Sequence, residues 1–267
     1  MFQKIIYAYN AVRRYIFRDT KYLFLYIYRY FQNNYRNDCK FYTEEDLTNL
    51  IRSGKSILRL GDGEISLLHF LPPPNNVQEY SDEIRNDFLK IIKNYNANSN
   101  YILAIPLFVN YTNTELKKAN RFTHFRQLKI TYELIFNKSA KYFDAHTFYK
   151  DGNFEKIILP YMKTKKTVLV TNKELGAIIA KAEPPSNDFF YVTCTDHHAY
   201  ENRLQIQNDV INLIKKTGLP KDNFVIILCS GLAKTIVYDM SNDGYQVIDI
   251  GNGLKSYYLK KSIENLI

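Results

Sequence analysis

Two acids stand two residues apart in Arg59-Leu60-Gly61-Asp62-Gly63-Glu64, each preceded by glycine, directly after the apolar run that begins at Ser56. In an extended segment positions i and i+2 project to the same side. Asp62 and Glu64 are therefore expected to face one point in space. Two hard carboxylate oxygens suit Mg2+ or Mn2+, which also keep coordination positions for water and phosphate oxygens. Gly61 and Gly63 let the backbone turn and approach a ligand with no Cβ in the way. A metal held there would neutralise a diphosphate as charge develops on it. The alternative is a solvated turn in which the two acids cap the helix that follows.

Such a site needs elements to position it. Short runs rich in β-branched or aromatic residues recur along the chain: SILRL at 56–60, YILAIP at 101–106, TVLVT at 167–171, FFYVTC at 189–194, FVIILC at 224–229 and YQVIDI at 245–250. Segments of helical period separate most of them, including 81–95 and 199–216, the latter expected to start as a long helix from His198. Thr43, Asp46 and Gly54 carry the cap signals of another helix. Strands alternating with helices predict a Rossmann-like α/β fold, with a mostly parallel sheet covered by helices on both faces. In open sheets of this kind ligands bind outside the carboxyl ends of the strands. Glycine and polar residues collect there: Gly61 to Glu64, Asn172 to Glu174, Thr195 to His198, Ser230 to Lys234 and Gly251 to Gly253.

The chain of 267 residues is 46% hydrophobic and 24% charged, enough apolar side chain for a sizeable core. Cys39, Cys194 and Cys229 form no CxxC pair, which argues for a reducing, cytoplasmic setting and against structural zinc. Residues 1–40 carry eight of the cations and only two acids, hence +6 of the total +9. The aromatic run KYLFLYIYRYF lies in the same stretch. Domains are accordingly expected at 1–40, a basic aromatic helical extension, and 41–267. Cations interleaved with Tyr, Phe and Leu suit an anionic membrane surface, and a peripheral location at its inner face follows from that reading. Helices that pack on the domain would account for the same pattern. Nucleic acid is disfavoured, because no RNA- or DNA-binding motif accompanies the charge.

The segment RLGDGE after a strand, together with the later CSGLAKTIVYDMSNDGYQVIDIGNG, resembles the GT-D-type glycosyltransferases, a bacterial family first described as a domain of unknown function. The resemblance covers roughly residues 43–258. It implies a metal-dependent transferase that takes a sugar from a nucleotide sugar, with a UDP-sugar expected, to a surface-glycan acceptor that is a glycan, glycoprotein or lipid-linked saccharide. It further implies Asp62 and Glu64 as ligands of Mn2+ or Mg2+, with Arg59, Gly61, Gly63 and Asp249 around the donor. Ser230 and Gly231 open a turn whose amides suit phosphate, and Lys234 adds a point charge. Where relatives often carry His after the last D-x-G, this chain has Asn252.

An inverting transfer also needs a base for the acceptor hydroxyl. Asp196 is the first candidate, joined with Glu64 in the catalytic set; His197, Glu174 and Asp249 are further candidates at strand ends. SGKS at 53–56 is not a P-loop, because Asn49 stands where that motif requires glycine and the segment precedes a strand. The competing reading is a non-catalytic module on the same fold that binds a nucleotide or anionic lipid.

Overall fold

The computed structural model describes residues 20–68, 80–149, 153–181, 188–195, 200–229, 234–251 and 253–264. In chain order its first elements are α1 (Thr20–Tyr30), β1 (Lys40–Phe41), α2 (Glu44–Arg52), β2 (Ser56–Arg59), α3 (Asp62–Leu68), α4 (Asp82–Asn94), β3 (Tyr101–Ile105), α5 (Asn113–Lys118), α6 (Phe122–Ile135) and β4 (Lys141–Asp144). There follow α7 (Leu159–Met162), β5 (Lys166–Thr171), α8 (Lys173–Lys181), β6 (Phe189–Thr193), α9 (Arg203–Lys216), β7 (Phe224–Leu228), α10 (Lys234–Asn242), β8 (Val247–Asp249) and α11 (Gly253–Glu264). These elements form two compact units. The first contains α1, β1, α3 to α6 and the start of β4; the second contains α2, β2, most of β3 and everything from Phe143 onward. The units interleave in the chain.

The second unit is built on a parallel sheet in the order β3-β2-β8-β7-β5-β6. One row of residues crosses it in register: Ile102, Ile57, Ile248, Ile227, Leu169 and Tyr191. The first five of these join Leu47 and Ile51 of α2, Leu175 and Ile179 of α8, and Leu254 and Tyr258 of α11 in one core. On the opposite face α10 packs on β2 and β8. Strands β2 and β7 are buried along their whole length, as strands covered on both sides must be. Each large side chain so buried contributes about 1.5–3 kcal/mol. The fold is therefore Rossmann-like α/β.

Local signals account for several boundaries. The Thr43 hydroxyl accepts from the Asp46 amide while the Asp46 carboxylate accepts from the Thr43 amide, a complete capping box at the start of α2. Gly54, at φ +88°, ends that helix in the left-handed region. The Ser81 hydroxyl caps α4. By contrast α9 begins at Arg203, later than the helix expected from His198.

In the first unit, β1 and β4 pair in parallel, with Lys40 opposite Lys141 and Phe41 opposite Tyr142. Helix α1 packs against α6. The irregular segment after α1 is held by a buried lysine: Lys129 donates to the carbonyls of Tyr35 (2.5 Å) and Tyr111 (2.6 Å) and to Asn113 Oδ1 (3.0 Å). Burial pushes the Lys129 ammonium down to about 8, opposed by the charge of Glu115. Glu133 accepts from the Arg29 guanidinium at 2.7 Å and from the Tyr35 hydroxyl at 2.8 Å, and so fixes the same segment from its side chains.

Candidate active site

The D-x-E acids lie in the first unit, and their backbone is helical. Asp62 is the first residue of α3 and Glu64 belongs to its first turn. This corrects the expectation of an extended segment: on a helix, residues two apart do not share a face. The physical reason is visible in the cap. Glu64 is buried, and its Oε2 accepts from the Gly61 amide at 2.7 Å, the reach-back of a capping box with glycine in the cap position. The Ile65 amide then donates to the Gly61 carbonyl at 3.2 Å and starts the helical ladder. Glycine leaves room here, since a Cβ would stand 3.2 Å from Glu64 Oε2 and the carboxylate would have to shift slightly. The capping alternative thus describes Glu64, without removing its charge from the site.

Arg59, Lys234 and Asp249 meet in the second unit, at the end of β8. Asp249 is fully buried. Its Oδ2 pairs with the Lys234 ammonium and accepts from the Arg59 amide at 3.3 Å. Its Oδ1 accepts from the Gly251 amide at 2.9 Å and lies 3.7 Å from Arg59 Nη1. Gly251, at φ +52°, makes the turn that brings its amide back to this carboxylate. Arg59 also donates through Nε to the Ala145 carbonyl at 2.7 Å. Lys234 and Arg59 were expected beside a diphosphate; here both are buried against an internal carboxylate. A carboxylate with these partners is poorly placed to take a proton from an acceptor, which removes Asp249 from the candidate bases.

Topology adds a third feature, also within the second unit. After β5 the chain moves to β6 on one side, whereas after β7 it moves to β8 on the other, so the strand order reverses between β5 and β7. The helices that follow, α8 and α10, pack on opposite faces of the sheet. Open α/β sheets form a ligand crevice at such a point. Beside it lies a cleft of ≈ 790 Å³, lined by Asn172 and Glu174 from the start of α8 and by Thr193, Cys194 and Thr195 from the end of β6. Asn172 Oδ1 accepts from the Leu175 amide and caps α8. Glu174 is exposed there and is the carboxylate of the cleft among the described residues. Nearby, burial pushes the Cys229 thiol well above its ordinary value, reinforced by the charge of Asp249. A thiol held neutral in this way is not a nucleophile.

Asp196, His197, His198, Ser230, Gly231 and Asn252 lie outside the described residues, and the side chain of Asp62 does too. In the sequence Thr193 and Cys194 stand out only as strand residues; their place at a parallel strand's carboxyl end is the signal that marks them.

The described residues hold no group of three or more His, Cys, Asp or Glu side chains suited to a metal. Mg2+ and Mn2+ do not need one. They bind through one or two carboxylates when phosphate oxygens and water complete the shell. Glu64, a buried carboxylate whose Oε2 accepts from the Gly61 amide, suits at most one position in such a shell and not a closed protein cage.

No protein-family pattern and no curated protein matches the sequence. Solved structures do match it. One, described as a new glycosyltransferase (DUF1792) from Streptococcus sanguinis, has a TM-score of 0.67 and 18% identity over 84% of this chain and 85% of its own. Two structures of domain of unknown function 1792, one described as having a distinct glycosyltransferase fold, match with TM-scores of 0.62 and 17% identity, over 84% of this chain and 82% of theirs. By its backbone, across most of its length, this chain has the glycosyltransferase fold of the DUF1792 structures.

Proposed function

We propose that this protein is a metal-dependent glycosyltransferase that moves a sugar from a nucleotide sugar, with a UDP-sugar expected, to a hydroxyl of a surface-glycan acceptor. The observation that carries the reading is the D-x-E segment directly after β2 in a chain whose backbone matches glycosyltransferase-fold structures over 84% of its length. Glu64 and Asp62 would hold Mn2+ or Mg2+ together with the donor diphosphate. The metal would supply charge neutralisation at the leaving diphosphate.

The protein's own residues do the rest. Gly61 holds the Glu64 carboxylate in one orientation through its amide. The Asp249 carboxylate at the end of β8 fixes Lys234 at the start of α10 and Arg59 at the end of β2, so that their positions are set before any ligand binds. For the acceptor proton, Glu174 is an exposed carboxylate on the β5–β6 cleft, and Asp196 remains the other candidate. Substituting each by the corresponding amide and reading the pH dependence of turnover separates them.

The test of the function is direct. A ligand that binds only the folded state raises stability by RT ln(1 + [L]/Kd), about 2.7 kcal/mol at a hundredfold excess over Kd. A set of nucleotide sugars with and without Mn2+ should give a metal-dependent rise in Tm for one donor. The same donor should then release sugar slowly to water. A rise in Tm without sugar release, even with glycan acceptors supplied, would instead indicate a nucleotide-binding module.

A further inference from the structure

Helix α1 has two apolar stripes, and among the described residues one is packed and the other exposed. Tyr22, Tyr26 and Arg29 face α6: Tyr22 is buried, the Arg126 guanidinium lies 3.6 Å from the centroid of the Tyr26 ring, and Arg29 pairs with Glu133 at 2.7 Å. The other stripe is Phe24, Ile27, Tyr28 and Phe31, at i, i+3, i+4 and i+7, the spacing of a single helical face. Its side chains are 69%, 54%, 51% and 75% exposed. Phe24 and Tyr28 stack on each other at 6.2 Å, so the stripe is a continuous aromatic surface and not four scattered residues. Large apolar side chains gathered in this way on a surface mark an interaction site.

The surroundings of the stripe are cationic. Lys21 is exposed at its N-terminal end. At the other end Tyr30 meets the Phe122 ring at 5.7 Å, and Lys117 lies 5.1 Å from the centroid of that ring while donating to Asn33 Oδ1 at 3.1 Å. Lys118 and Arg121 are exposed beside Lys117 in the chain, and Arg36 is exposed five residues past Phe31. Glu115, the acid beside Lys117, Lys118 and Arg121 in the chain, is engaged in capping α5 at Thr112, and Asp38 is exposed two residues past Arg36. Among the described residues no helix is long and apolar enough to cross a bilayer. An aromatic face with a cationic rim and no spanning length is the pattern of a helix lying in a membrane interface.

We infer that the outward face of α1 docks this protein on an anionic lipid bilayer, with Phe24, Ile27, Tyr28 and Phe31 at headgroup depth and Lys21, Lys117, Lys118 and Arg121 against lipid phosphate. This inference does not depend on the catalytic reading. The chain contains no tryptophan, so Phe31→Trp provides a single reporter in the full chain. With vesicles containing phosphatidylglycerol at low salt, its emission should shift to the blue and the protein should co-sediment. Phosphatidylcholine vesicles should do neither. Phe24→Ser/Phe31→Ser should reduce vesicle binding at least tenfold with an unchanged melt, since both side chains are exposed. Lys118→Glu/Arg121→Glu should weaken binding in proportion to anionic lipid content. Equal binding by the serine variant, or equal binding to neutral vesicles, would overturn the inference. So would a concentration-dependent dimer that the serine variant abolishes while vesicles bind neither form, because the face would then be covered by a second copy.

Discussion

Among the described residues two lysines are buried, one in each unit, and they are satisfied in opposite ways. Lys234, at the end of the second unit's sheet, meets a carboxylate, Asp249, which also gathers the Arg59 and Gly251 amides. Lys129, in the first unit, meets no carboxylate among the described residues; its ammonium sits among two backbone carbonyls and an amide oxygen. The first arrangement concentrates opposite charges at the strand ends where α/β sheets bind ligands. The second ties an irregular segment down by answering backbone carbonyls that no strand or helix reaches. A buried ion pair is costly to break, whereas a caged cation is costly to charge.

The largest expected effect is on the ion pair. Asp249→Asn leaves a buried ammonium facing a neutral amide, and removing one partner of such a pair costs about 3–5 kcal/mol. Urea denaturation should show that loss, and the double variant Asp249→Asn/Lys234→Met should recover much of it. A loss below about 1 kcal/mol would mean that the pair is not the anchor of this strand end.

Lys129→Met should cost less, about 1–3 kcal/mol, for carbonyls left without their donor. It also predicts a pH signature. The folded value of Lys129 is lowered to about 8, below that of an unfolded lysine near 10.4. Between these values the unfolded chain binds more protons than the folded one, so stability rises with pH through this window. Below about 8 both states are protonated and the contribution is flat. The difference in unfolding free energy between wild type and Lys129→Met should therefore grow from pH 8 to pH 10. A constant difference would show that the ammonium is stabilised by its three acceptors as fully as by water.

Gly61→Ala asks which kind of group Glu64 is. Its new Cβ would press on Glu64 Oε2 at 3.2 Å. If the carboxylate serves only the cap, the variant should lose some fraction of 1 kcal/mol in stability and nothing else. Under the proposed function it should weaken metal-dependent donor binding several-fold for the same small change in Tm.

The strands of the second unit were legible because continuous β-branched runs such as Phe224–Leu228 have few other fates. Caps at Thr43 and Ser81 were equally readable, being local in sequence. β1 and β4 were not, since Lys40–Phe41 is two residues long and Lys141–Asp144 mixes charge with aromatics; position in the sheet decides them, not composition. The helical start at Asp62 escaped a period-based reading because glycine stands where Ser or Thr would normally announce a cap. Lys129 gave no sign at all, for its partners are mainly backbone carbonyls distant in sequence. The exposed stripe of α1 was visible as a basic aromatic run, although only the structure separates its used face from its open one.

Glu64→Gln carries the most direct test of the proposed function. Glutamine at this position still offers an oxygen to the Gly61 amide, so the cap and the melt should survive while the charge is lost. Calorimetric titration of the preferred nucleotide sugar in the presence of Mn2+ should give saturable binding to wild type, no binding without metal, and at least tenfold weaker binding to Glu64→Gln. Equal, metal-dependent affinity in wild type and variant would contradict the assignment of the D-x-E carboxylate to the metal-bound donor.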